Sequence, residues 1–237
     1  MRYGFDRRAA RLAATLALSG CLPAMPDAAP LRGIASQQAD ATGADAGAVD
    51  GEPQDDVDGP ACPPALTGEL VLNEIGLRPT GLDLDGDGKV SARDEYVEIV
   101  SNAPHPVGLA GVTLHFAGQE RGVVVAAPCL APRHAALLVG STTAPFLPPA
   151  GSLRVALDRT LRLTDAGGRI ALRSLAGGVH DAVDAPAAAG TGPHVWARRA
   201  DGQFDAPFAE HGWLGPGRAH SPGVCLDGSA FPHCPTW

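Results

Sequence analysis

Five acidic side chains lie close together in one short segment of the sequence. Asp83, Asp85, Asp87 and Asp94 are separated by small and polar residues, and Glu95 follows directly. Carboxylates this close repel one another unless a cation neutralises them. Calcium takes roughly six to eight oxygen ligands, and alternate residues of one tight loop can direct several oxygens at one point. The segment is therefore the strongest candidate metal site, and Ca²⁺ is the cofactor that it predicts.

The spacing of this segment resembles an EF-type calcium loop. Its closing position holds Asp94 where Glu is usual, which is closest to a dockerin-type loop. Gly88 stands where the loop needs a sharp turn, and Val90 stands at the usual apolar plug. Either Asp94 or Glu95 closes the loop, and the alternative to a metal site is a solvated turn, which Asp-Gly pairs also favour. The resemblance implies these ligands, with Lys89 using its carbonyl oxygen: Asp83, Asp85, Asp87, Lys89, Asp94 and Glu95.

Other residue patterns do not predict catalysis. The eight His form no HExxH or HxH pair, and no G-x-S-x-G segment is present. Ser221 follows His220 directly, but neighbours on an extended chain point to opposite sides, so a Ser-Pro turn is the preferred interpretation. Glu74, Glu95 and Glu98 could form a carboxylate pair for glycoside chemistry. We instead expect Glu98 to face solvent or to hydrogen-bond a corner, and we predict no catalytic residue.

Short β-strands must position these residues. Apolar and polar residues alternate in segments such as Tyr96–Ile99 and 153–157, which is the period of a half-buried strand. Gly-rich turns recur about every ten residues, and this pattern predicts an all-β antiparallel sandwich. Eight strands are predicted, beginning at Glu69, Glu95, Gly111, Arg121, His134, Ser152, Arg169 and Val179.

About the last fifty residues read as an irregular, Pro/Gly-rich segment. We expect its aromatic side chains to pack over one end of the sandwich. They include Trp196, Phe204, Phe208 and Trp213.

Several motifs follow one another in a recognisable order. "LVLNEIGLRP" ends an apolar strand in Asn73-Glu74, and "DEYVEIVSNAPHPVGLAGVTL" joins an acidic-aromatic strand to a corner. "LRLTDAGGRIALRSLAGGVHDAVD", "ARRADGQF" and "HSPGVC" come later. From Glu69 to Cys225 this order resembles the lamin-tail domain, although Gly108 and Val112 stand where that family usually has Asp and Trp. The resemblance implies an immunoglobulin-like sandwich over residues 62–237, with the calcium loop inserted between its first two strands.

The N-terminal residues are typical of an exported lipoprotein. Four Arg precede a short apolar run, and Leu18-Ser19-Gly20-Cys21 resembles a bacterial lipobox. The resemblance implies a signal peptide over residues 1–20 and a lipid anchor on Cys21; the alternative is an ordinary signal with an incidental Cys. Residues 21–61 are acidic and lack apolar periodicity, which predicts a disordered linker. Leu22 follows Cys21 in place of Asp. By resemblance to proteobacterial lipoproteins, this implies the outer membrane of a bacterial cell envelope, with the domain in the periplasm or on the cell surface.

Four further cysteines are an even number, which in an exported chain indicates two disulfides. Three pairings are possible, and we favour Cys62–Cys129 with the local pair Cys225–Cys234. The chain has a net charge of −8 and no basic run, so nucleic acid is an unlikely partner.

These observations favour an exported, membrane-anchored, non-catalytic binding or structural module stabilised by calcium. One alternative is a calcium-dependent hydrolase or nuclease accessory protein. The other is a surface adhesin that binds a glycan or a protein, with Trp196 and Trp213 as its candidate surface. Apart from the membrane, reached through the lipid anchor, the expected partner is an unidentified protein or glycan.

Overall fold

The computed structural model describes residues 62–125, 129–140, 146–188, 192–214 and 217–235. The predicted signal peptide (1–20), the lipidation site Cys21 and the predicted linker (21–61) lie outside these ranges. Within them, no helix has the length and apolar character needed to cross a bilayer.

Strands dominate the secondary structure of the described residues. Each of the eight predicted segments overlaps one of them, so the all-β class is confirmed. The strands are β1 (Leu70–Arg78), β2 (Tyr96–Ser101), β3 (Val107–Gly108), β4 (Thr113–Phe116), β5 (Gln119–Val123), β6 (Cys129–Leu130), β7 (Ala135–Val139), β8 (Ser152–Ala156), β9 (Gly168–Arg173), β10 (Val179–Ala185), β11 (His194–Arg198) and β12 (Phe208–Glu210), and the helix is α1 (His211–Leu214).

Two larger sheets form the sandwich. One has six strands in the order β12-β11-β1-β2-β7-β8, and the other has four in the order β10-β9-β4-β5. β3 and β6 form a separate pair. All pairs are antiparallel except β7 and β8, which run parallel in the register Ala135↔Ser152. The prediction of a purely antiparallel sandwich is wrong there, because residues 140–151 provide the long connection that parallel strands require.

The main core lies between the inner faces of the two sheets. Val97 and Ile99 of β2 pack in the same cluster as Leu114 of β4 and Leu172 of β9. All four are fully buried. Burying one such side chain contributes about 1.5–3 kcal/mol, so this layer is the main source of stability.

The outer face of the six-stranded sheet is covered as well. Leu84 of the acidic loop packs with Tyr96 and Leu137 at one part of this face. Phe231 of the C-terminal segment packs with Val100 at another. The central strands β1 and β2 are therefore buried on both faces, and the prediction of a half-buried strand at Tyr96–Ile99 is wrong.

A buried ion pair closes the junction between the sheets. The Asp181 carboxylate of β10 accepts a hydrogen bond from the Leu72 amide at 2.8 Å, and the Arg198 guanidinium donates to the Leu72 carbonyl. Asp181 and Arg198 also pair with each other, and both are almost fully buried. Two side chains thus satisfy backbone groups of β1 that lie beyond its pairing with β11.

Both predicted disulfides form, Cys62–Cys129 and Cys225–Cys234. The prediction of an irregular C-terminal region is wrong for β11 and β12, because β11 pairs directly with β1. The aromatic residues of this region also differ from expectation. Phe208 packs against the core, but Trp213 is 77% exposed and Phe204 is 50% exposed.

Candidate metal site and buried carboxylate network

The acidic loop places three of its predicted ligands together. Oxygens of Asp83, Asp85 and Asp87 all lie within 4.8 Å of one another. The two oxygens of Asp83 also accept hydrogen bonds from the amides of Gly86 at 2.7 Å and Gly88 at 2.8 Å. Both glycines have positive φ angles, of 67° and 81°, which tighten the loop around these carboxylates. Three hard oxygen donors in one place could supply part of the roughly six to eight ligands that a Ca²⁺ ion takes.

The other predicted ligands have different surroundings. Asp94 is fully buried, and its oxygens accept hydrogen bonds from the amides of Leu84 at 2.7 Å and Ser91 at 2.6 Å. Its carboxylate therefore joins the beginning of the loop to its end. Glu95 accepts a hydrogen bond from the Leu163 amide at 2.8 Å, outside the loop. Among the described acids, neither belongs to the group formed by the three aspartates.

Lys89 and Val90 lie in the second half of the loop, where the resemblance assigns each of them a role. The Lys89 amide donates to the Asp87 carboxylate at 2.8 Å, which orders the backbone where the resemblance assigns the carbonyl ligand. Val90 is 46% exposed, so the expectation of an apolar plug there is wrong. Leu84 takes that role, because it is buried against the outer face of the sheet.

The carboxylates of the loop act on one another through their charges. Desolvation raises the pKa of Asp85, and the negative charges of Asp87, Asp94 and Asp83 raise it further. A cation among these carboxylates would remove that repulsion. Burial raises the pKa of Glu95 to about 7; the charge of Asp165 adds to this, whereas the Leu163 amide opposes it.

A second group of acids is buried beneath the C-terminal segment. Glu74 of β1 accepts hydrogen bonds from the Ser221 amide at 2.9 Å, from the Ser221 hydroxyl and from the Tyr96 hydroxyl. Glu98 of β2 accepts from the Gly223 amide at 2.7 Å. The expectation that Glu98 faces solvent is therefore wrong: it is fully buried and holds the segment that follows α1.

Asn73 links these acids to a third carboxylate. Its amide group donates to Glu98 at 2.8 Å and to Asp201 at 3.1 Å, and its oxygen accepts from the Gly202 amide at 2.8 Å. Asp201 in turn accepts from the Leu226 amide at 3.0 Å. Burial is the first cause of a raised pKa at both Glu98 and Asp201, and the charge of Glu74 contributes at both.

Ser221, His211 and Glu74 resemble a catalytic triad in composition but not in geometry. His211 Nε2 lies 2.8 Å from the Ser221 hydroxyl and 3.4 Å from the Glu74 carboxylate. In a working triad the acid holds the other ring nitrogen, yet here Nδ1 lies 3.3 Å from the Arg218 carbonyl. All three side chains are buried, so the group joins the C-terminal segment to the sheet.

The sequence did not predict this buried network of carboxylates, Ser221 and His211. Its signal is weak, because Ser221 pairs with His211 ten residues earlier rather than with its neighbour His220. The partners Glu74 and Ser221 are separated by 147 residues, and no short motif records such a contact.

Comparison with models of known protein families gives no match. A search of the curated proteins finds no match to this chain either. The functional interpretation therefore depends on the residues of the acidic loop and on the surfaces around them.

Proposed function

We propose that this chain is an exported, non-catalytic module whose β-sandwich is stabilised by Ca²⁺ bound in the loop Asp83–Asp94. The observation that carries the proposal is the convergence of Asp83, Asp85 and Asp87 within 4.8 Å. Carboxylates of this density, in a turn built on positive-φ glycines, favour a hard divalent cation over a solvated turn. Of the two candidates for the closing position, Asp94 bonds within the loop, whereas Glu95 bonds to the Leu163 amide outside it.

The position of the loop explains how an ion would act on the whole domain. The loop joins β1 to β2, the two strands at the centre of the six-stranded sheet. Leu84 anchors it on the outer face beside Tyr96. An ion that binds the folded loop and not the unfolded chain stabilises the fold by mass action.

The proposal places the module outside the cytoplasm, held to the cell envelope by lipid on Cys21. Two disulfides support an oxidising compartment. The lamin-tail resemblance supports a structural or binding role. The residues of the proposed signal and linker lie outside the structure described above, so mass spectrometry of the mature N-terminus is the direct test of the anchor.

Calorimetric titration with Ca²⁺ tests the metal site. The wild-type protein is expected to bind one ion, and the double variant Asp83→Asn/Asp87→Asn is expected to lose that binding. Asp184→Asn is the matched control, because this carboxylate is 77% exposed and pairs with Arg169 of β9, outside the loop. At a hundredfold excess over Kd, Ca²⁺ should add about 2.7 kcal/mol of stability. At about 2–4 °C per kcal/mol for a domain of this size, Tm should rise by about 5–11 °C. Equal calcium binding by the wild type and the double variant would refute the assignment.

An adhesin function is the second candidate, and one observation favours it. Trp213 is 77% exposed on α1, and Trp is a residue type enriched at binding interfaces. Glycan and protein arrays probed with wild type and Trp213→Ala are the test. Ligands captured by both proteins with equal strength would show that this surface is not the binding site.

A further inference from the structure

Three arginines line one cavity at the edge of the four-stranded sheet. The cavity has a volume of about 450 Å³, and its walls include Arg121 of β5 together with Arg159, Thr160 and Arg162 of the segment after β8. Glu120 is the acid in its wall. We name this cavity the arginine pocket. It concentrates positive charge in a chain whose net charge is −8.

Among the described residues, one of these guanidinium groups forms salt bridges, and the charge of Arg121 opposes the raised pKa of Glu95. Arg159 pairs with Asp158 at 2.7 Å and with Glu120 at 3.5 Å. Within the part of the chain that the structure describes, neither Arg121 nor Arg162 forms a salt bridge. The Arg121 guanidinium lies 5.6 Å from the centre of the Phe116 ring, and its Nε is buried without a hydrogen-bond partner.

The backbone that carries these side chains is held in place. Leu161 and Leu163 are buried in the main core, on either side of Arg162. The Asp158 amide donates to the Val123 carbonyl at 3.1 Å, which fixes the segment against β5. Gly140 approaches the same segment so closely that a Cβ atom there would lie 2.8 Å from Thr160 Cα. The arginines are thus presented by a rigid support, which lowers the entropy lost on binding.

Arg162 also has an uncommon backbone conformation. Its φ angle is 49°, in the left-handed region that disfavours residues with a Cβ atom. Its side chain is exposed at the mouth of the pocket. Residues held in such conformations are concentrated at ligand-binding positions. A glycine here would fold at least as easily, so local conformational preference does not account for the arginine.

We propose that the arginine pocket binds an oxyanion group, phosphate or sulfate, carried by a small molecule. Planar guanidinium groups recognise such oxyanions through paired hydrogen bonds. The Thr160 hydroxyl offers a further donor. The volume exceeds that of the anion alone, so the pocket has room for the group to which the anion is esterified.

Nuclear magnetic resonance titration tests the proposal without knowledge of the natural ligand. The probes are inorganic phosphate, inorganic sulfate and glycerol phosphate, which separate a free anion from an ester. We expect saturable shifts of the amides of residues 120–123 and 158–163. Tighter binding of glycerol phosphate would identify an ester as the ligand class, and equal binding would identify the free anion.

Two variants make the test specific. Arg162→Gly removes a guanidinium while relieving the left-handed backbone, so the fold should be retained and the affinity should fall about tenfold or more. Arg199→Gln is the control, because this exposed arginine lies outside the pocket and should leave the affinity unchanged. Absence of saturable shifts would overturn the proposal. So would equal loss of affinity in both variants, which would indicate general attraction to positive charge.

Discussion

Replacement of Glu74 separates the two roles that its carboxylate could have at the C-terminal segment. Its oxygens accept from the Tyr96 hydroxyl and from the amide and hydroxyl of Ser221, and they lie 3.4 Å from His211. The carboxylate could hold the segment as a hydrogen-bond acceptor or as the negative partner of a charged His211. The variants Glu74→Ala and Glu74→Gln are expected to respond differently in these two cases.

The magnitude for Glu74→Ala follows from the donors that it leaves behind. The Ser221 hydroxyl can turn to donate to His211 Nε2, which lies 2.8 Å away. The Ser221 amide and the Tyr96 hydroxyl have no such alternative, and both residues are buried. Each unsatisfied buried donor costs about 1–3 kcal/mol, so a loss of about 2–6 kcal/mol is expected. That is a large part of the roughly 5–15 kcal/mol available to a domain.

Glu74→Gln should be mild if the acceptor role is the important one. The carboxamide oxygen can still accept from Tyr96 and from the Ser221 amide. Its NH₂ group can donate to the Ser221 hydroxyl, which then donates to His211. All partners remain satisfied, so the expected loss is below about 1 kcal/mol.

Chemical denaturation gives the free energy of unfolding, and hydrogen exchange of residues 217–235 locates the change. Glu74→Ala should lower stability and speed exchange in that segment first, while Glu74→Gln should resemble the wild type in both measurements. A loss for the Gln variant as large as that for the Ala variant would refute the acceptor argument. It would mean that the charge pairing with His211 holds the segment. A loss below about 1 kcal/mol for Glu74→Ala would show that the network is not needed for stability.

Two further predictions concern pH and the disulfides. In the folded protein the pKa of Glu95 is raised to about 7. Its contribution to the free energy of unfolding is therefore fully present below about pH 4.5 and is lost as the pH rises towards 7. Chemical denaturation in the presence of a chelator, repeated across this pH range, should show the free energy of unfolding fall by about 2–3 kcal/mol. If the Glu95→Gln variant shows a fall of equal slope, Glu95 is not the cause of the pH dependence. Opening Cys62–Cys129 should cost about 4 kcal/mol of stability and opening Cys225–Cys234 about 2.5 kcal/mol, because they close loops of 67 and 9 residues. The test is the stability of two variants, each with both cysteines of one disulfide replaced by Ser. A larger loss from opening Cys225–Cys234 would contradict loop entropy as the cause.

The sequence was sufficient to predict the strands in which apolar and polar residues alternate regularly. Segments such as Tyr96–Ser101 combine β-branched and aromatic residues, and these are the residues that favour a pleated surface. β11 was missed although His194–Arg198 contains apolar residues, because surrounding Gly and Pro made the whole region resemble a loop. The parallel pair of β7 and β8 was also missed, since strand direction depends on a connection whose path is not local.

The candidate metal loop was predictable because its ligands lie within one short segment, and local spacing alone brings Asp83, Asp85 and Asp87 together. The roles of the residues that follow were not predictable. Glu95 turns away to the Leu163 amide, which lies 68 residues later in the chain. A local motif therefore indicates which side chains can meet, but long-range contacts decide which of them remain available to an ion.

The buried acids follow from the way the outer face of the sheet is covered. The turns of an irregular segment satisfy only part of its backbone amides, and the buried amides that remain need other acceptors. Here Glu74 and Glu98 serve the amides of Ser221 and Gly223. Acids at positions that would otherwise face water thus allow a Gly/Pro-rich segment to pack on a sheet. Tyr96 contacts this network through its hydroxyl and the acidic loop through its ring, so the loop and the C-terminal segment cover adjoining parts of one surface.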